Sequence, residues 1–133
     1  MNAKATQTVL TMLLEQHLPA PPDSSQVMTA LVELPPGDPG TPPHRHSGPV
    51  FGYMTEGEMV FELEGEPERV IRAGEAFWEP GGDVIHYQDG NNRDDVPVRF
   101  TVTMLREAGK PMLAFVDEEE LLRRTDRRAR RDG

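Results

Sequence analysis

Hydrophobic and polar residues alternate along most of this chain. Residues 26–34 place Val27, Thr29, Leu31 and Glu33 on one face and Met28, Ala30, Val32 and Leu34 on the other. Residues 58–64 turn Met59, Phe61 and Leu63 toward a core and Glu58, Glu62 and Glu64 toward water. Residues 96–105 carry Val98, Phe100, Val102 and Met104 on a single face. A period of two predicts half-buried strands, because successive strand side chains point to opposite sides. Shorter strands are predicted over 68–72, 75–79 and 84–88, and an outer strand over 111–116. Turn residues separate them: Pro35 and Gly37, the Glu56-Gly57 hairpin, Gly74, and the Pro80-Gly81-Gly82 run. Strands arriving about every 8–12 residues between such turns predict an all-β sandwich or barrel.

The two ends break the pattern. Residues 8–17 have the length of two helical turns, but Thr8, Val9 and Thr11 favour a strand, expected along the outside of the barrel. His17 is expected at the surface. Residues 117–133 form a charged tail after a single domain over 1–116. The tail runs acids first and bases last, which suits a helix dipole. Glu119 with Arg123 and Glu120 with Arg124 are spaced as i,i+4 pairs, while Leu121 and Leu122 give only a narrow apolar anchor. A short surface helix fraying to disorder is expected.

The 133 residues suffice for one core, and 13 prolines and 12 glycines favour short elements. The absence of cysteine excludes disulfides, thiolate metal sites and a cysteine nucleophile. The formal charge is −9; the tail carries six acids and six bases, so the body holds all of it. An acidic body repels phosphate backbones, so no nucleic-acid partner is expected. No apolar run approaches the roughly 18–20 residues a membrane span needs. A cytoplasmic protein without a membrane partner is the expectation.

The chemistry concentrates between residues 43 and 57. His44 and His46 are two apart and so share a face of an extended segment. His86, forty residues after His46, follows the Pro80-Gly81-Gly82 turn. These three of the chain's four histidines are candidate ligands of one divalent ion. Iron, zinc, manganese and nickel all suit imidazole.

The order of these features resembles the cupin superfamily. The first motif runs from Gly37 through His44-Arg45-His46 to Gly57; the second runs from Gly74 through Pro80 and Gly82 to His86, with Asn91 trailing. The resemblance implies a jelly-roll β-barrel whose first motif supplies two histidines and a glutamate and whose second supplies a third histidine. That glutamate would fall near Val50 or Phe51, and neither can ligate. Each motif also carries one extra residue, before His44 and between Gly82 and His86. The expectation is therefore a three-histidine site, as in some cupin thiol dioxygenases, holding metal more weakly but polarising it more strongly.

Three further residues are candidates for catalysis. Glu79, just before the second-motif loop, is either an outward-facing acid at the barrel mouth or a fourth ligand or base. Gln88 shares a strand face with His86 and is placed to bond a metal-bound water or substrate, or else packs at the core edge. Tyr87 is a candidate for orienting substrate, and Arg45 is expected to point outward. Phe51, Tyr53, Met59, Phe61 and Trp78 are candidate lining for a small organic ligand. The expected functions are a mononuclear metal dioxygenase, a non-catalytic metal or small-molecule binding module, or a metal-assisted isomerase or lyase. A homodimer is expected, with residues 12–15 or 111–116 at the contact, because barrels of this kind cover exposed strand edges.

Overall fold

The structure is a computed structural model describing residues 9–17, 24–107 and 109–130. Among the described residues, nine strands form two antiparallel sheets: β1 (Ser24–Leu34), β2 (His44–Arg45), β3 (Val50–Glu56), β4 (Glu58–Leu63), β5 (Arg69–Arg72), β6 (Ala76–Glu79), β7 (His86–Gln88), β8 (Val98–Glu107) and β9 (Ala114–Phe115). One sheet has the order β1-β8-β3-β6 and the other β5-β4-β7-β2-β9. Apart from β4 and β5, neighbours in each sheet are not consecutive in sequence, which is the jelly-roll manner of closing a barrel from two sheets.

The alternation in the sequence survives in the long strands. Val27 and Leu31 of β1 face out while Ala30, Val32 and Leu34 pack on the core. Val98, Phe100 and Val102 of β8 are buried, with Met104 packed against them. Met54, Met59, Phe61, Ile71 and Phe77 complete the space between the sheets. Gly52 of β3 lies directly under Phe77: a Cβ there would come within 2.1 Å of the ring, so only glycine lets the ring fill that space. Gly57 makes the β3–β4 hairpin at φ +80°, a conformation that suits glycine.

Three expectations need correction. Residues 9–17 form no strand, and Val9 and Leu10 are each 83% exposed. β-preferring side chains do not make a strand without a ladder partner, and among the described residues nothing pairs this segment with the edge of β1; Thr8 lies outside the described residues. Glu62 does not face water but is 2% exposed, clamped by Arg128 through Nε at 2.6 Å and Nη2 at 2.7 Å. Glu64 likewise receives the Arg124 guanidinium. The C-terminal segment covers the Glu62–Glu64 end of this face of β4.

That segment begins with β9, which pairs with β2, and continues into α1 (Glu118–Arg123) and a 3₁₀ turn (Thr125–Arg127). Asp117 caps α1 by accepting the Glu120 amide at 2.8 Å, and Glu118, Glu119 and Glu120 fill the first turn, as the helix dipole favours. Leu121 packs on Ile85, Tyr87 and Val116, while Leu122 is exposed. The ionic grip of Arg124 and Arg128 supplies the rest of the anchor. Among the described residues, no helix is long and apolar enough to cross a membrane.

Candidate metal centre

The two histidine motifs meet through strand register. β2 and β7 are antiparallel neighbours with His44 opposite His86, so both rings stand on the same face, 4.9 Å apart between centroids. His46, two residues on from His44, lies 4.9 Å from it in an edge-on arrangement. The loop between β6 and β7 is held against this segment: the Gly82 amide donates to the His46 carbonyl at 2.7 Å. Gly81, at φ +74°, passes so close to Gly48 that a Cβ would meet its carbonyl at 2.1 Å.

The fourth member comes from the other sheet. Glu79 ends β6 and is 5% exposed, with Oε1 at 3.0 Å from His86 Nδ1 and 3.6 Å from His46 Nε2. One potential ligand atom from each of His44, His46, Glu79 and His86 lies within 4.8 Å of the others, and all four residues are buried.

Second contacts fix which nitrogens face inward. His44 Nδ1 donates to the Pro42 carbonyl and His46 Nδ1 to the Met112 carbonyl, each at 2.9 Å. Both rings thereby keep Nε2 as the lone-pair nitrogen, the tautomer a metal ligand requires. Among the described residues neither nitrogen of His86 has a hydrogen-bond partner; its contact with Glu79, Nδ1 to Oε1 at 3.0 Å, is an ion pair. Burial, assisted by the charge of His86, pushes the His44 imidazole below its usual range. Burial also opposes the charges on Glu79 and His86, but their mutual attraction outweighs it. Glu79 is held below the ordinary carboxylate range and His86 above that of imidazole.

A buried carboxylate among three imidazoles, two with their tautomers set and one with both nitrogens unbonded, fits a divalent transition metal in its donor chemistry. His44, His46, Glu79 and His86 would hold it.

The family model described as the cupin domain matches residues 30–104, more than half of the chain. The chain belongs to the cupin family. Solved structures similar to this cupin include oxalate oxidase in complex with the substrate analogue glycolate, 28% identical over 68% of this chain at a TM-score of 0.55. An RmlC-like cupin with a double-stranded β-helix fold from Methanocaldococcus jannaschii is 22% identical, covering 61% of this chain and 71% of its own, at a TM-score of 0.53. A DMSP lyase from Ruegeria pomeroyi is 23% identical, covering 71% of this chain and 44% of its own, at a TM-score of 0.57. The chain spans 46% of the oxalate oxidase it matches. No curated protein matches the sequence.

The cupin barrel divides the remaining candidates by face. Met59 and Phe61 point inward, and Phe61 packs on His86 at 4.7 Å between centroids. Phe51, Tyr53 and Trp78 do not share that interior: they alternate with buried Val50, Gly52, Met54 and Phe77, so they stand on the outer face, where Phe51 and Trp78 stack at 6.2 Å. Tyr87 packs with Ile85, Val116 and Leu121 on the outer side of the other sheet. There it lines a groove of about 360 Å³ with Pro43 and Arg128. Gln88 leaves the His86 face because of an irregularity in the ladder. Glu62 pairs with Gln88 and Leu63 with His86, so two steps along β7 match one along β4, and simple alternation fails there. Its amide donates to Glu62 at 2.7 Å and Glu68 at 3.1 Å. Arg45 points outward, as expected, onto Glu120 of α1.

The inward aim of Glu79 was available from the sequence. It stands two residues from Phe77, the core residue of the same short strand, and so shares its face. The Met112 carbonyl that orients His46 had no such signal, because any residue type supplies a carbonyl.

Proposed function

We propose that this cupin is a mononuclear metal enzyme that oxidises a small organic acid with molecular oxygen. The observation that carries the proposal is the convergence of three histidines and Glu79 in one buried cluster. The 28% identity to oxalate oxidase, over two thirds of this chain, supports a small carboxylate as substrate class. A redox-active divalent metal bound there would supply Lewis acidity and electron transfer at its open positions.

The chain's own residues do the rest. The Pro42 and Met112 carbonyls hold His44 and His46 in the ligating tautomer. Glu79 contributes the single negative charge, lowering the net charge of the centre and favouring metal retention over maximal polarising power. Phe61, packed on His86, makes the adjoining wall apolar, which favours exclusion of water and stronger electrostatic contacts within the site. The protein works as a homodimer, a reading supported by Phe115 on edge strand β9 and by Met12 and Leu13, all exposed. A monomeric mass by light scattering would contradict that last point.

A second reading has its own support. His44, His46, Glu79 and His86 are each no more than 5% exposed, and closed sites are the habit of structural rather than catalytic metals. In that case the chain is a metal-binding module without turnover. Oxygen uptake by the iron- or manganese-loaded protein, across a panel of small carboxylates, diketones and thiols, separates the two. Uptake with a carboxylate supports the enzyme; a fully loaded protein that consumes no oxygen with any of them leaves the binding module.

A further inference from the structure

Both halves of the split centre are gripped from outside the barrel by residues 112–128. β2, which carries His44, is two residues long and meets β7 at the single pair His44–His86. On its other side β9 adds the pairs His44–Phe115 and Arg45–Ala114, and the Val116 amide donates to the Pro43 carbonyl at 3.0 Å. Met112 accepts the His46 Nδ1 proton. Between the two ligands, Arg45 reaches out and binds both carboxylate oxygens of Glu120 on α1, at 3.1 and 2.5 Å.

The grip extends to the second motif. Glu120 also accepts Arg124 Nη1 at 3.1 Å. Arg124 in turn bonds the Asp83 carboxylate and the Asp83 carbonyl, each at 3.0 Å, and Glu64 as well. Asp83 lies in the loop that joins Glu79 to His86. One chain of arginine–carboxylate bonds therefore connects the His44–His46 segment to the loop between the other two ligands.

We propose that residues 112–128 act as a strap that positions the metal ligands, with Arg45 and Glu120 as the positioning pair. The strap rests on the reading of His44, His46, Glu79 and His86 as a metal centre. With the strap lifted, β2 keeps only its His44–His86 pairing, and the His46 ring loses the acceptor that sets its tautomer. Four side chains must then be ordered at the expense of metal binding, and affinity falls. Linkage makes the effect reciprocal: whatever factor the docked strap adds to metal affinity, bound metal adds to strap docking. A strap that served only to cover the sheet edge would stabilise the barrel without either effect.

Cobalt(II) titration followed by visible absorption, on the full chain, tests the pair. Glu120→Gln keeps the shape of the side chain and removes its charge. It is expected to weaken cobalt binding about tenfold, in the range seen when groups behind a ligand are altered. Glu119→Gln, an exposed neighbour on the same helix, is the control and should bind as wild type. In the wild type, zinc should slow backbone hydrogen exchange over residues 114–124. A folded Glu120→Gln protein with wild-type cobalt affinity would overturn the strap, as would zinc binding that leaves tail exchange unchanged. The exchange measurement needs no variant, so it decides the matter if Glu120→Gln fails to fold. A wild-type chain that binds neither cobalt nor zinc would refute the metal centre itself, which distinguishes that failure from failure of the strap.

Discussion

Val50 and Glu79 face each other across the β3–β6 ladder. The first cupin motif would place its carboxylate at about position 50 or 51, and this chain has an apolar residue at each. The missing carboxylate stands on the neighbouring strand instead, directly opposite Val50. Side chains so paired have Cβ atoms only about 4.5–5.5 Å apart and project to the same face. A glutamate moved across one rung can therefore reach the same cluster. The candidate centre is a three-histidine, one-glutamate cluster with its carboxylate supplied by β6.

This relationship predicts that the carboxylate can be moved back. Glu79→Val should weaken zinc binding by about tenfold or more, because three neutral imidazoles alone leave the ion's charge uncompensated. Adding Val50→Glu to that variant should recover part of the loss. Chelator competition measures both. A double variant no tighter than Glu79→Val alone would show that the position, and not only the charge, is specific to β6.

Much of this was legible in the sequence, and the exceptions share a cause. The long strands, the histidine register and the Gly57 hairpin follow from patterns internal to single segments, which a period of two or a turn residue reports directly. The burial of Glu62 and Glu64 is not legible because a strand has two faces, and alternation cannot say whether the second is covered. Here Arg124 and Arg128, sixty or more residues away, cover it. Gln88 departs from the expected face because a ladder irregularity breaks the alternation there. The aromatic character of Phe51, Tyr53 and Trp78 suggests pocket lining, but their phase, opposite to Gly52 and Phe77, puts them outside.

The Arg124 cluster should matter to stability. The Arg124 and Glu64 side chains are each 9% exposed, and Arg124 also holds Asp83 and Glu120. Arg124→Met should cost on the order of 2–3 kcal/mol, since removing one partner leaves buried carboxylate charge without compensation. Urea unfolding measures it. A change within about 0.5 kcal/mol would mean that the cluster behaves as an exposed surface network.

Docking of α1 should resist acid. The Arg45 hydrogen bonds hold the Glu120 carboxyl down to about 2, from an ordinary value of 4.5. A carboxyl depressed in the folded state contributes its stability in full above the ordinary value and loses it as pH falls through the folded one. The helix should therefore stay docked at pH 4 and loosen only as pH approaches about 2. The carboxyl carbon shift of Glu120 in an NMR titration reports its midpoint. A midpoint near 4 would show that the Arg45 fork does not persist in solution.

The central claim is that His44, His46, Glu79 and His86 hold one metal ion between the two sheets. Metal analysis of the purified chain beside a His44→Ala, His86→Ala double variant tests it most directly, with folding of both checked by circular dichroism. The account predicts about one transition-metal ion per wild-type chain after loading and dialysis, and almost none in the folded double variant. Equal metal in the two proteins would contradict it.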